Sequence, residues 1–372
     1  HPPKIKFRAD PIRFPPSRPA MSLRLINFPN QLIHNLHEDL HDHSSFLPNI
    51  GGGEIHVYNL TKKLASLGYN VEVHVKGEPG EIDVPVVGHK AFWRCKCLVL
   101  HLHGLAMSRR DSLWNLRTLL ASGYVFTPHN SVIALKERRL GFISIPIAKR
   151  AKRVLAVSEW EKREMEKMGI TKITVVPNGV SDLAYTLPRS EGPEDYLLYL
   201  ARISRGKNQL AAVRALRGTD VKLYMVGPVN DQGYLVEILR EAKRLGVEDR
   251  VKYLGVVSEE EKFRLIDGSL AVILVSDTLE AEGIAVKEAM VRGKPVIVRN
   301  RGALPYLVKD GINGFVVDGE EEITNAVSRL RHSPELREEM GELNRKEAEA
   351  WKWDAIAKRV LEVYREVYGS VL

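Results

Sequence analysis

Apolar and polar positions fall into two series along the chain. Short runs rich in Val, Ile, Leu and Tyr at residues 23–28, 71–75, 97–102, 124–127, 153–157 and 173–176 are separated by longer helical stretches. That spacing predicts buried strands of a parallel sheet. A second series at 196–201, 221–226, 250–254, 270–275, 295–298 and 314–317 alternates with helical patterns at 207–217, 232–245, 258–266 and 283–292, and predicts a second α/β unit. Between them SDLAYTLPRSEGPED (181–195) is polar and carries two prolines and a glycine, so it reads as a linker with the boundary near residue 188. After the second series Ile356, Val360, Val363 and Val367 recur at helical spacing, predicting one amphipathic helix. The expected organisation is a first domain over 21–187, a second over 188–350 and a closing helix over 351–372. Residues 1–20 are proline-rich and without apolar periodicity, and read as a disordered tail.

Composition sharpens this picture. A length of 372 residues suffices for two cores. No apolar run reaches the roughly 18–20 residues of a spanning helix, so a soluble protein is expected. Cys95 and Cys97 are the only two cysteines; two residues apart in one strand they are poorly placed to bridge, which points to a reduced, cytoplasmic setting. Only three glutamines among many Lys, Arg and Glu lean towards a thermophilic source. The net charge of +8 is uneven, since residues 90–153 hold 13 Lys and Arg against 2 Asp and Glu. With Phe92, Trp93 and Phe142 as interfacial aromatics, that block predicts contact with an anionic surface, such as the inner face of the cell membrane.

Ligands of open parallel sheets bind beyond the carboxyl ends of the strands, and the distinctive residues lie in those loops. After the strand at 270–275 comes DTLEAEGIAVKEAMVRGKPVI, in which Glu280 and Glu288 are separated by seven residues. Gly283 permits close backbone approach at a helix start, where the amides of Ile284 and Ala285 face a ligand. In YLLYLARISRGKNQLAAVRAL a strand runs into Arg202 and Lys207, two cations suited to a diphosphate. In the first domain Gly51, Gly52 and Gly53 open a helix, but His56 stands where a dinucleotide fingerprint requires glycine. His103 in LHLHG and His129 in FTPHNS end two strands; either can serve as a structural hydrogen-bonding residue or a functional one. Asn178 and Gly179 in VVPNGV form a tight turn. His34, His37 and His41 could share a helical face, yet no cysteine accompanies them, and a polar loop is the plainer reading.

The stretch from Glu280 to Glu288, with the following EAM, Gly-x-Pro-Val and DGINGFVV, resembles the E-x7-E region of retaining glycosyltransferase family 4. The resemblance runs over roughly 22–365. It implies the GT-B fold, two Rossmann-like domains facing across a cleft with the final helix crossing back to the N-terminal domain. It also implies a nucleotide-sugar donor, UDP- or GDP-linked, bound to the C-terminal domain, and a metal-independent hexosyl transfer with retention. Glu280 then contacts the transferred sugar and Glu288 the ribose, Arg202 and Lys207 bind the donor diphosphate, and His129 lies in the cleft. The glycine loop of Gly51, Gly52 and Gly53, with His103, belongs to the acceptor or phosphate side. Glu282 stands where the family often has Phe, and Tyr306 where Glu is common; these departures bear on sugar preference. No cofactor is implied. The acceptor is unidentified, with a lipid-linked one among the candidates. A nucleotide-sugar epimerase or a phosphorylase of the same architecture is the alternative reading, and a basic membrane- or nucleic-acid-binding module another. No RNP, zinc-finger or helix-turn-helix signature supports nucleic acid as a partner.

Overall fold

The computed structural model describes residues 22–27, 52–75, 86–88, 99–105 and 123–369. The proline-rich tail, Gly51, the histidine run, both cysteines, Phe92 and Trp93 lie outside the described residues, as does much of the basic block.

Two parallel sheets form, one from each series. The first comprises β1 (Ser22–Asn27), β2 (Asn70–Val75), β3 (Val86–Gly88), β4 (Val99–His103), β5 (Tyr124–Thr127), β6 (Arg153–Ala156) and β7 (Ile173–Val175), in the order β3-β2-β1-β4-β5-β6-β7. The second comprises β8 (Tyr196–Leu200), β9 (Lys222–Val226), β10 (Val251–Tyr253), β11 (Ala271–Leu274), β12 (Val296–Arg299) and β13 (Phe315–Val317), in the order β10-β9-β8-β11-β12-β13. Central strands such as β5, β8 and β11 are buried at every residue, as strands covered by helices on both faces must be. That burial explains why continuous apolar runs, rather than alternation, mark them in the sequence. The three-residue edge strand β3 is too short to announce itself.

Each sheet reverses its strand order once, between β1 and β4 and between β8 and β11. In the second sheet the loops leaving β8 and β11 diverge at the reversal, where an open parallel sheet forms its crevice. Residues Gly52–His56 follow β1 and His103 ends β4; Arg202 and Lys207 follow β8, and Glu280 and Gly283 follow β11. The topology thus gathers the distinctive residues at the two switch points.

The helical pattern at 207–217 is interrupted. Asn208 adopts a left-handed conformation (φ 53°), so the helix is confined to Gln209–Ala215 between 3-10 turns at Arg205–Lys207 and Leu216–Gly218. Lys207 is therefore carried on a turn, not on the helix. The charged helices Glu320–His332 and Pro334–Ala348 are absent from the pattern reading. In the first of them Ile323, Ala326, Val327 and Leu330 do form a buried stripe at spacing 3, 4 and 7, but the acidic and basic residues around it dominate the window.

The linker is tied down rather than loose. Ser181 caps a short helix at Asp182–Thr186. The Arg292 guanidinium donates to the carbonyls of Ala184 at 2.9 Å, Leu187 at 2.7 Å and Pro188 at 3.3 Å, and pairs with buried Asp267. The fan of donors on one planar guanidinium suits several carbonyls at once.

The closing helix Trp353–Tyr368 belongs to the core of the first domain. Its Ile356, Val360, Val363 and Tyr364 pack with Val57, Leu60 and Leu64 of the helix Gly52–Ser66 and with Val99 and Val125 of the sheet. Tyr368 donates to the carbonyl of Gly123 at 2.5 Å. Where the chain crosses between domains, Trp353 lies against Gly179 so closely that a Cβ there would stand 2.5 Å from the indole.

One buried ion pair joins the domains. Lys287 and Glu282, on 1% and 6% exposed side chains, pair directly; Lys287 also donates to the Asn178 carbonyl at 2.8 Å, and the Asn178 amide donates to Glu282 at 2.7 Å. Burial raises the Glu282 carboxyl and lowers the Lys287 ammonium from their usual values, and in each the partner offsets the effect. Removing one partner leaves the other charge buried and uncompensated. Glu282→Ala is expected to cost about 3–5 kcal/mol in chemical denaturation, with the Glu282→Leu/Lys287→Met double variant losing much less.

Candidate active site

On the second-domain side, the turn Arg205–Lys207 docks on the segment after β11. The Gly206 carbonyl accepts from the amides of Asp277 at 2.9 Å and Thr278 at 3.1 Å and from the Ser276 hydroxyl at 3.1 Å. Fully buried Tyr199 donates to the Lys207 carbonyl and accepts from the Val275 amide at 3.2 Å, locking the two loops together. Their side chains consequently meet, and Lys207 pairs with Glu280, each 16% exposed. The Glu280 carbonyl is held by the Ala303 amide at 2.8 Å, and its carboxylate receives the Thr278 hydroxyl at 3.3 Å. Arg202 is exposed beside this turn, while its carbonyl accepts from the Gln209 amide group at 2.9 Å.

Gly283 (φ 82°, ψ 57°) precedes the helix Ile284–Val291, and no side chain caps that helix. An L-residue is strained at this φ, and a Cβ would also stand 2.7 Å from Leu304 Cδ2. The first-turn amides of Ile284 and Ala285 form the positive end of the helix dipole. Glu288 lies one turn further, paired at 2.6 Å with Lys262 of the helix Glu259–Gly268. Glu280 and Glu288 are thus held by different cations on different elements.

On the first-domain side, His129 (φ 49°) and Asn130 (φ 67°) both take left-handed backbone conformations after β5, a strain of about 1–3 kcal/mol each that the surroundings must impose. Glu161 imposes it. Its carboxylate accepts from the Asn130 amide at 2.6 Å and from the Val157 amide at 2.7 Å. Complete burial pushes this carboxyl up to about 7, against the opposing pull of those two amides. The signal for Glu161 is present in the sequence as the S-x-x-E spacing from Ser158, which caps the helix Glu159–Glu166.

His129 joins three further histidines. His103 Nδ1 lies 3.2 Å from His129 Nε2. The His56 ring is centred 5.4 Å from His103 and 5.0 Å from His129, and the His101 ring lies tilted with its centre 4.0 Å from that of His103. His101 is fully used, with Nδ1 2.6 Å from the Tyr364 hydroxyl and Nε2 2.7 Å from that of Thr127. Burial lowers all four rings, His101 to about 3 and His129 to about 4, so they are neutral near pH 7. His56 and Glu161 were legible only as a missing glycine and a cap; their place here depends on the packing of three strands.

Gly52 and Gly53 open the helix Gly52–Ser66. Glu282 is 7% exposed and committed to Asn178 and Lys287, which places it at the domain junction. Tyr306, 46% exposed, lies beneath the Arg163 guanidinium of the first domain, 5.2 Å from the ring centre. Two cavities of about 340 and 270 Å3 lie behind the linker around Arg292 and include none of the predicted site residues.

Residues 188–347 match the family model for glycosyl transferases group 1, and residues 90–182 that for glycosyltransferase family 4. An uncharacterised glycosyltransferase of Methanocaldococcus jannaschii is 21% identical over 87% of this chain and 97% of its own length. The D-inositol 3-phosphate glycosyltransferase of Streptomyces griseus is 35% identical over 33% of this chain and 26% of its own. Of the D-inositol 3-phosphate glycosyltransferases and the spore coat protein it resembles, the chain spans between 26% and 54% of their own length. Among solved structures, sucrose-phosphate synthase from Thermosynechococcus elongatus superposes with a TM-score of 0.73 at 19% identity, covering 94% of this chain and 100% of that one. Anabaena HepE in complex with UDP-glucose gives 0.72 at 17%, covering 92% and 100%. With the GT-B arrangement in place and both halves matched by glycosyltransferase models, the chain belongs to the group 1, family 4-type glycosyltransferases.

Proposed function

We propose that the protein is a retaining glycosyltransferase that moves a hexose from a nucleotide sugar to an acceptor held by the first domain. The observation that carries this reading is the meeting of Lys207, Glu280 and the Gly283-led helix start at the second switch point. HepE, which shares the fold, is solved with UDP-glucose, and this supports a UDP-linked donor in the same place; GDP remains the other candidate. In this reading residues 21–187 form the acceptor domain, 188–350 the donor domain and 351–372 the crossover helix.

The donor diphosphate lies against Lys207, Arg202 and the amides of Ile284 and Ala285, with Glu288 on the ribose and Glu280 on the transferred sugar. As the bond from the anomeric carbon to the phosphate oxygen breaks, its electron pair stays on that oxygen. The two cations and the helix end stabilise the growing charge. The acceptor oxygen bonds to the anomeric carbon on the departing face, and its proton passes to a phosphate oxygen. Configuration is retained. Gly52 and Gly53 open the acceptor-side helix, and His129 faces the sugar and acceptor from that domain.

The membrane side of the proposal rests on described residues of the basic block. Phe142 is 73% exposed at the start of the helix Gly141–Arg150, whose last turn carries Lys149 and Arg150 and is followed by Lys152 and Arg153. That pairing of an exposed aromatic with clustered cations suits peripheral attachment to an anionic leaflet carrying a lipid-linked acceptor. No described helix is long and apolar enough to cross a membrane.

Lys207→Ala and Arg202→Ala are each expected to lower kcat/KM by about 100-fold or more while the protein stays folded; a double variant with wild-type efficiency overturns the donor assignment. Nucleoside diphosphates should raise the thermal midpoint, and acceptor-independent conversion of the donor would instead favour an epimerase. Because the chain supplies its own cations, adding Mg2+ or Mn2+ to the metal-depleted enzyme should change the rate by no more than about twofold, against the several kcal/mol a required Lewis acid supplies. In liposome sedimentation, binding should require anionic lipid and weaken as salt rises past physiological strength. It should also fall when Lys149, Arg150, Lys152 and Arg153 become glutamate.

A further inference from the structure

Three imidazoles of the first domain converge without using their full bonding capacity. His56 comes from the helix Gly52–Ser66, His103 from the end of β4 and His129 from the turn after β5. One nitrogen of each lies within 4.8 Å of those of the other two. His56 is 3% exposed, yet neither of its ring nitrogens has a hydrogen-bond partner. The Asn178 side chain comes close enough to His56 to offset burial in part, without reaching hydrogen-bond geometry. Burying polar nitrogens unpaired is costly, and the packing makes no attempt to avoid it here. His101, the fourth ring of the cluster, is excluded as a participant because Tyr364 and Thr127 occupy both its nitrogens.

The geometry points to a site for one borderline-soft divalent transition metal ion, of the zinc and cobalt class, held by His56, His103 and His129. Two imidazole nitrogens bound to one tetrahedral zinc at about 2.0–2.1 Å are about 3.3–3.4 Å apart, and His103 Nδ1 and His129 Nε2 are 3.2 Å apart. His56, whose two nitrogens have no hydrogen-bond partner, brings one of them within 4.8 Å of both. Lys287 is the cation near enough to His56 to be felt, and its charge is balanced by Glu282. His129 is only half-buried, so a fourth position stays open on its side, the pattern of a site that keeps one place for water or a ligand. Three nitrogen ligands and no carboxylate select against Mg2+ and Ca2+. The site does not involve Lys207 or Arg202, so it is separate from the diphosphate contacts proposed above, but it shares His129 with the proposed sugar and acceptor side.

The test uses the full chain, stripped with a chelator and titrated with Co2+ and then Zn2+. To set aside the histidine run, the titration is made in a His34→Ala/His37→Ala/His41→Ala background. The expected result is one Co2+ per chain with the intense visible absorption of a tetrahedral nitrogen-rich site, displaced by one Zn2+, and a raised thermal midpoint. His56→Phe and His103→Phe keep the ring packing and should weaken Zn2+ binding at least tenfold, whereas Arg202→Ala should bind Zn2+ as the parent does even if it loses transfer. Should the phenylalanine variants not fold, zinc X-ray absorption of the parent decides, with three imidazole shells at about 2.0–2.1 Å expected. Absence of a tetrahedral Co2+ spectrum, equal Zn2+ affinity in folded variants, or fewer than three imidazoles around zinc overturns the assignment.

Discussion

The arrangement of the whole molecule turns on the buried pair of Lys287 and Glu282. Neither charge could stay buried without the other, and together they grip the amide and carbonyl of Asn178, a residue on the far side of the linker. The pair lies on and just before the Ile284–Val291 helix, so the element that offers its positive end to a ligand is the one bolted to the first domain. Trp351, centred 4.7 Å from the Lys287 ammonium, and Trp353 against Gly179 and His56 extend the junction into the crossover helix. Such a pair contributes little net stability over an apolar replacement; what it supplies is a fixed relation between the two sets of loops.

From that junction the site divides into two kinds of chemistry. The second domain presents charge, with Lys207 balanced by Glu280 and Lys262 by Glu288, all only partly shielded from solvent. The first domain presents neutral nitrogen, four imidazoles that burial keeps uncharged near pH 7. Glu161 belongs to the same design. By holding the Asn130 amide it keeps His129 in a backbone conformation that a free chain would avoid.

The alternation of apolar runs and helical stretches determined two parallel sheets, because a strand covered on both faces must be apolar throughout. The helical spacing of Ile356, Val360 and Val363 marked the closing helix, and the strand series placed Arg202, Lys207, Glu280 and Gly283 after strands. Glycine at 283 was legible because only that residue fits a left-handed position packed against Leu304. Tertiary structure alone decided what crosses between elements. Glu282 looked like a sugar-facing substitution until its carboxylate met Asn178 and Lys287, and Lys207 moved from helix to turn because Asn208 reverses the backbone. His56 becomes a neighbour of His103 and His129 only when β1, β4 and β5 lie side by side. Residues 47 and 26 positions apart share no local pattern, and their meeting depends on strand order, which a single chain's periodicity does not encode.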